Sequence, residues 1–193
     1  MRLVLLGPPG AGKGTQAKHI VSEYGIAHVS TGDIFRDNVR RATALGTEAK
    51  NYMDRGELAP DDVVIKMVGD RLAQDDCVRG FVLDGFPRTV PQALALEDEL
   101  ASQQRPLHGV LRLVVDDEQA VQRLLGRREA EGRADDAEDV IRHRLHEYHT
   151  KTEPLEFFYA ERGLLRDVDG IGEIGEVTDR ALSVLKGLGE EDA

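Results

Sequence analysis

The sequence predicts a three-layer α/β fold with a parallel sheet of about five strands, and three observations carry that prediction. Short apolar runs alternate with longer segments of helical rhythm along the whole chain. The first of those runs, Leu3-Val4-Leu5-Leu6, is continuously apolar, as a strand buried on both faces is. A glycine-rich loop, Gly7-Pro8-Pro9-Gly10-Ala11-Gly12-Lys13-Gly14-Thr15, then joins it to the helix-forming segment Gln16–Val21.

Strand, glycine loop and helix in that order make a nest for phosphate. The glycines let backbone N–H groups point inward, and the helix N-terminus behind them adds partial positive charge. Lys13 supplies a cation for the outer phosphates, and the Thr15 hydroxyl suits a bound Mg²⁺. The spacing departs from the general pattern G-x-x-x-x-G-K-[ST], because Gly14 stands between the lysine and Thr15.

Composition narrows the class. With 193 residues, 40% apolar and 32% charged, the chain suits one soluble domain with a large core and small insertions. No apolar run approaches a membrane span and no signal-peptide pattern is present, so a cytoplasmic protein is expected. The formal charge of −11 argues against nucleic-acid or anionic-membrane partners. One cysteine, Cys77, excludes an internal disulfide and a structural zinc site built on thiolates.

Ala27-His28-Val29 reads as a second strand, and Asp33 or Thr31 is expected to cap the helix that carries Ile34, Phe35 and Val39. Arg36 falls in that helix's first turn, where the dipole disfavours a cation, so an anionic ligand nearby explains it better. A further helix spans Thr47–Arg55. Another, Asp61–Ala73, carries Val63, Val64, Met67, Val68 and Leu72 as a core stripe, with Val64 at the base-binding end.

Gly80–Asp84 is a strand with a carboxylate at its carboxyl end, where open parallel sheets bind ligands. Asp84 is therefore a candidate for holding Mg²⁺ directly or through water, a locally bonded loop aspartate being the alternative. Gly85, Phe86 and Pro87 form the turn that follows, and Arg88 projects a five-donor fork at the same edge. Gln92, just inside the helix Val90–Ser102, both donates and accepts, so it can read the edge of a base.

Gly109–Val115 is a strand broken only by Arg112, and Asp116 or Asp117 caps the helix after it. Six arginines then fall between 123 and 144, interleaved with carboxylates. That pattern is either a salt-bridged helix pair or a set of cations delivered to a transferring phosphoryl group. Gly132 supplies a hinge-like break beside Arg133. Pro154 should kink or restart the helix there, with Leu155, Phe157, Phe158 and Tyr159 as core. Leu164–Asp169 makes the last strand and Val177–Leu188 the last helix.

The loop Gly-x-Pro-Gly-x-Gly-Lys-Gly-Thr resembles that of the nucleoside monophosphate kinases, and most closely the adenylate kinase branch. Ser30-Thr31-Gly32-Asp33 with Arg36, Asp84-Gly85-Phe86-Pro87-Arg88 with Gln92, Gly132-Arg133-Ala134-Asp135-Asp136 and the stretch from Arg142 to Tyr148 resemble further motifs of that family, in its order. The resemblance implies a core of residues 1–29 and 60–193, a monophosphate-binding insertion at 30–59 and a lid at 127–136. That lid lacks the roughly thirty residues and four zinc ligands that some members carry.

By resemblance the reaction is ATP + AMP = 2 ADP with Mg²⁺ and no zinc, in a monomer that maintains adenine nucleotide balance. Lys13, Arg88, Arg123, Arg133 and Arg144 would neutralise charge during transfer. Gly10, Ala11, Gly12, Lys13, Gly14, Thr15, Arg123, Arg127 and Gly172 would bind ATP. Thr31, Arg36, Glu57, Leu58, Ala59, Gly85, Phe86, Pro87, Arg88, Gln92, Arg133 and Arg144 would bind AMP. Gly172 and Glu173 stand where the family often has Lys and Pro, which leaves only a backbone contact at Gly172. Asp135 and Asp136 match aspartates beside the family's lid arginine.

A UMP/CMP kinase is the alternative within the family, though its members tend to have asparagines near Thr89 and Gln92 and alanine at Thr31. Asp167-Val168-Asp169-Gly170 fits the D-x-x-G of a GTPase switch, but no N-K-x-D appears. A nucleotide-binding regulatory module would have no need of Arg36, Arg88 and the later arginines.

Overall fold

The computed structural model describes residues 1–132 and 136–191. Strands β1 (Arg2–Leu6), β2 (Ala27–Ser30), β3 (Phe81–Asp84), β4 (Gly109–Val114) and β5 (Leu165–Asp169) form one parallel sheet in the order β2-β3-β1-β4-β5. The helices are α1 (Lys13–Tyr24), α2 (Thr31–Arg40), α3 (Ala44–Arg55), α4 (Asp61–Leu72), α5 (Val90–Ser102), α6 (Asp117–Glu131), α7 (Glu138–Glu147), α8 (Pro154–Glu161) and α9 (Ile174–Glu191). This is the three-layer α/β fold that the alternation of runs predicts.

The two-residue period of a strand sorts the core into its two halves. Leu3 and Leu5 of β1, with Leu111 and Leu113 of β4, pack against Ala17 and Ile20 of α1, Leu124 of α6, Ile141 of α7 and Leu185 of α9. Val4 and Leu6 face the other way, with Phe81 and Leu83 of β3, toward Val68 of α4, Leu96 of α5 and Leu155 of α8. Arg112 shares the face of Val110. It meets Glu156 of α8 and forms a cross-strand pair with Asp167, its register partner on β5, so the one charge inside β4 is neutralised by its neighbours.

Topology places the ligand edge. The chain leaves β1 toward one side of the sheet and leaves the adjacent β4 toward the other, which opens a crevice at their carboxyl ends.

Several boundaries differ from the sequence expectation for identifiable reasons. Ser30, rather than Thr31 or Asp33, caps α2: it is the last extended residue of β2, and its hydroxyl accepts from Asp33 N at 3.2 Å. Helix α3 starts at Ala44, because Thr43 caps it by accepting from Gly46 N at 3.0 Å. Asp116 is the cap of α6. Helix α9 begins at Ile174, before Val177. The chain reaches Pro154 through a π-helical turn, Tyr148–Thr152, in which Glu153 N donates to Tyr148 O, and α8 restarts at the proline. Phe157 is not core: Leu155, Phe158 and Tyr159 share the buried face of α8, and Phe157 is 69% exposed on the opposite face.

Helices α2 and α3 pack backbone to backbone at Gly46, where an added Cβ would lie 2.1 Å from Asn38 O. Gly69, inside α4, has open space around it. Gly46→Ala should therefore lower thermal stability, by about 1–3 kcal/mol as overpacking does. Gly69→Ala should raise it by up to about 1 kcal/mol through helix propensity alone. Melting curves of the two variants test this pair of opposite signs.

Candidate active site

The loop after β1 is fixed by close backbone approach. A Cβ at Gly7 would lie 2.7 Å from Leu113 O, and one at Gly10 would lie 2.5 Å from Ala120 O, so both positions, held at positive φ, need glycine. Gly12 ends the loop, and no side chain caps α1. The first amides of α1 and the positive end of its dipole thus open on the loop. Lys13 curls back across it: its Nζ donates to Gly7 O at 2.6 Å and to Pro8 O at 2.8 Å. Desolvation pushes the Lys13 pKa down to about 8, helped by Arg88, Arg144 and Arg127 and opposed by Asp84.

At the carboxyl end of β3, Asp84 faces this lysine. Burial favours its neutral form, but His28, Lys13 and Arg88 outweigh that and hold the carboxyl below its usual range. His28 Nε2 lies 3.7 Å from Asp84 Oδ2, an electrostatic contact too long for a hydrogen bond. Arg88 follows a cis Phe86–Pro87 peptide, and its Nε donates to Gly85 O at 2.9 Å. Burial, then repulsion from Arg144, pushes its pKa down to about 10, which leaves it charged at neutral pH.

The arginines of α6 and α7 converge on the same crevice. Arg123 reaches across to donate to Gly170 O at 2.9 Å, with Ala11 O at 3.5 Å. Arg127 makes a two-pronged pair with Asp136, at 2.7 Å on each arm, and Arg144 donates to the same carboxylate at 2.9 Å. Asp136 is fully buried. Burial opposes its charge, yet the two guanidiniums hold its pKa below the usual range. Arg133 and Asp135 lie outside the described residues. Residues 127–131 are the last turn of α6, and Gly132, at φ 65°, is its C-cap. Arg36 pairs with Asp33 at 2.7 Å, so a carboxylate of its own helix offsets the unfavourable dipole.

Two adjoining cavities result. The larger, about 530 Å³, is lined by Gly10, Ala11, Gly12, Lys13, Gly14, Thr15, Asp84, Gly85, Pro87, Arg88, Arg123, Arg127, Arg144 and Gly172 among others. Among the described residues, seven Lys and Arg side chains line it against four carboxylates, so these leave it locally positive in a chain of charge −11. The smaller, about 100 Å³, is lined by Thr31, Phe35, Glu57, Leu58, Ala59, Val64, Gly85 and Gln92. Arg36, Arg88 and Arg144 line both. Phe86 lines neither cavity: it is 2% exposed and packs in the core beneath the turn.

In the smaller cavity, Thr31 donates its hydroxyl proton to Gly85 O at 2.9 Å, which leaves it an acceptor only. Gln92 is tied at both ends of its amide, to Arg88 N and to Asp61. Sequence reading did not single out Asp61 as a site residue. The one available signal, Thr89-x-x-Gln92, reads as a capping box; Thr89 does cap α5, but the glutamine carbonyl bonds Arg88 N. Arg180 was missed as well. It donates to Asp169 O and Ile171 O at 2.8 and 2.6 Å and so pins the Gly170–Gly172 loop, in which Gly172 has φ 119°. Asp167 and Asp169 of the D-x-x-G match are engaged with Arg112 and with Arg180 and Ile171 N. Among the described residues, no group of three or more His, Cys, Asp and Glu is placed to hold a metal ion.

The family model described as adenylate kinase matches residues 5–164. The chain is 54% identical over 185 residues to an adenylate kinase of Pseudarthrobacter chlorophenolicus, covering 96% of each chain. It is 54% identical over 187 residues to one of Renibacterium salmoninarum, covering 97% of each. With an adenylate kinase of Thermobifida fusca it shares 54% over 186 residues, which is 96% of this chain and 98% of the relative.

The lowered pKa of Lys13 has a direct readout. Only the neutral amine is acylated, so the rate of Lys13 modification by acetic anhydride, followed by mass spectrometry, should titrate with a midpoint of about 8 in the free protein. Inorganic tripolyphosphate should move that midpoint upward, because a bound anion favours the ammonium. A midpoint at an ordinary lysine's value in the free protein would contradict the desolvated geometry.

Proposed function

The chain belongs to the adenylate kinase family and is a phosphotransferase of that kind; from that premise we propose that its two cavities take ATP and AMP and that their junction is where the phosphoryl group passes, giving two ADP and keeping the adenine nucleotides in balance. The observation that carries this reading is that Arg36, Arg88 and Arg144 line both cavities. Two nucleotides seated with their phosphates at that shared wall have an acceptor phosphate and a transferable phosphate facing each other.

No side chain here has to form a covalent intermediate. Transfer through a loose transition state spreads charge over the equatorial oxygens, and the work of the protein is alignment plus neutralisation. Lys13 and the inward amides of the glycine loop hold the donor phosphates. Arg88, anchored on Gly85 O, holds the acceptor phosphate, and Arg123 and Arg144 approach from α6 and α7. Arg127 completes the ATP side, and Arg133 of the lid joins the acceptor side and the charge-neutralising set. The ionised Asp84 and the Thr15 hydroxyl both line the larger cavity and are the hard oxygen donors that suit Mg²⁺, which when bound would neutralise phosphate charge.

In this reading residues 30–59, with α2 and α3, are the monophosphate-binding insertion on a core of 1–29 and 60–193, and 127–136 is the lid. Closure of these segments would keep water from competing with the acceptor. No helix of the described residues is long and apolar enough to cross a membrane. We infer a cytoplasmic monomer whose partners are the nucleotides.

Lys13→Ala should keep the fold and lose turnover by at least about 10³-fold in a coupled ADP assay, the scale of one transition-state cation. A variant within about tenfold of wild type would remove Lys13 from its role.

Acceptor choice tests the AMP assignment. With saturating MgATP, AMP should exceed GMP, UMP, CMP and dTMP by at least about 10²-fold in kcat/KM, because unpaired polar groups in a closed site are costly. Equal use of UMP or CMP would move the protein to the pyrimidine branch of the family.

A further inference from the structure

We propose that Asp61 is a specificity-determining positioning residue: it fixes the orientation of the Gln92 amide and so sets which purine edge the monophosphate cavity accepts. The inference rests on the AMP reading of that cavity and deepens it.

Gln92 is 2% exposed and sits at the wall of the smaller cavity. Its Oε1 accepts from Arg88 N at 2.8 Å, and its Nε2 donates to Asp61 Oδ1 at 2.8 Å. Neither partner can exchange roles, since a backbone N–H only donates and a carboxylate only accepts. A flipped amide would set N–H against N–H and oxygen against carboxylate, losing two partly buried hydrogen bonds and adding two repulsions. The two partners therefore fix which end of the amide is oxygen.

An amide has two acceptor sites on its oxygen and two hydrogens on its nitrogen. With one of each committed, Gln92 keeps one acceptor on the Arg88 side and one donor on the Asp61 side. That order complements adenine, whose N6 amino group donates and whose N1 accepts. A 6-oxopurine presents the reverse, a carbonyl at position 6 and a hydrogen on N1, and would pair with the flipped amide. Asp61 lines neither cavity and acts only through Gln92. The same Oδ1 also accepts from Thr89 Oγ1 at 3.0 Å, and Thr89 Oγ1 in turn accepts from Gln92 N, so the carboxylate is itself held by the cap of α5.

The test uses IMP as the probe, because it differs from AMP only at position 6 and N1. Asp61→Ala should lower the AMP-to-IMP ratio of kcat/KM by at least about tenfold, with the loss in KM for AMP and with KM for MgATP within about twofold of wild type. Asp61→Asn can still present an acceptor oxygen to both Gln92 and Thr89, so it should keep the ratio within about threefold. A ratio unchanged in Asp61→Ala, or lost equally in Asp61→Asn, would overturn the role, the second result because charge rather than acceptor geometry would then matter. Gln92→Ala separates the levels: if it lowers the ratio while Asp61→Ala does not, the base reader stands and only the lock fails. If Gln92→Ala leaves the ratio intact, the reader itself is wrong and the inference goes with it.

Discussion

Crowding cations at the mouth of a parallel sheet is the constraint that shapes this molecule. Lys13 and Arg88 are pushed toward their neutral forms by burial and by the other cations around the larger cavity. Such an arrangement is stable only where carboxylates are interleaved with it. Asp84 serves Lys13 and Arg88 from the end of β3, Asp136 serves Arg127 and Arg144, and Asp33 serves Arg36. These carboxylates offset part of the repulsion and still leave the cavity positive, so an anionic ligand completes the neutralisation.

The arginine-rich stretch is salt-bridged and cavity-lining at once. A salt-bridged helix pair and a phosphate-neutralising set look like rivals on paper. In the folded chain Asp136 binds Arg127 and Arg144 with near-ideal geometry, and both arginines still line the larger cavity. A guanidinium has five donors in a fork, so pairing with a carboxylate sets its plane and leaves the side chain at the cavity wall. Pairing here orients the cations.

The smaller cavity follows a different logic, built on hydrogen-bond roles rather than charge. Thr31 spends its proton on Gly85 O, and Gln92 spends one end on Arg88 N and the other on Asp61. Arg88 thus links the two cavities, its side chain lining both and its backbone N–H held by the Gln92 amide at the wall of the smaller one. Groups so committed in a buried cavity have few ways to adapt to a mismatched edge, which is how a small pocket discriminates.

The alternation of apolar runs and helical segments determined the fold class, since continuous apolar strands require cover on both faces and only helices from crossover connections supply it. The glycine spacing and Lys13 determined the loop after β1, because those residues act within a few positions of one another. Asp84 and Arg88 were legible for the same reason: they sit where a strand ends. Long-range partnership was not legible. The pairing of Arg112 with Asp167 and Glu156 and the hold of Asp61 on Gln92 join residues far apart in sequence, and single-chain patterns carry no signal for them. Arg36 shows the converse, a local pair with Asp33 that spacing alone contained but that dipole reasoning passed over. Local chemistry was written in the order of the residues; which hydrogen-bond donor met which acceptor was decided only when the sheet brought distant turns to one edge.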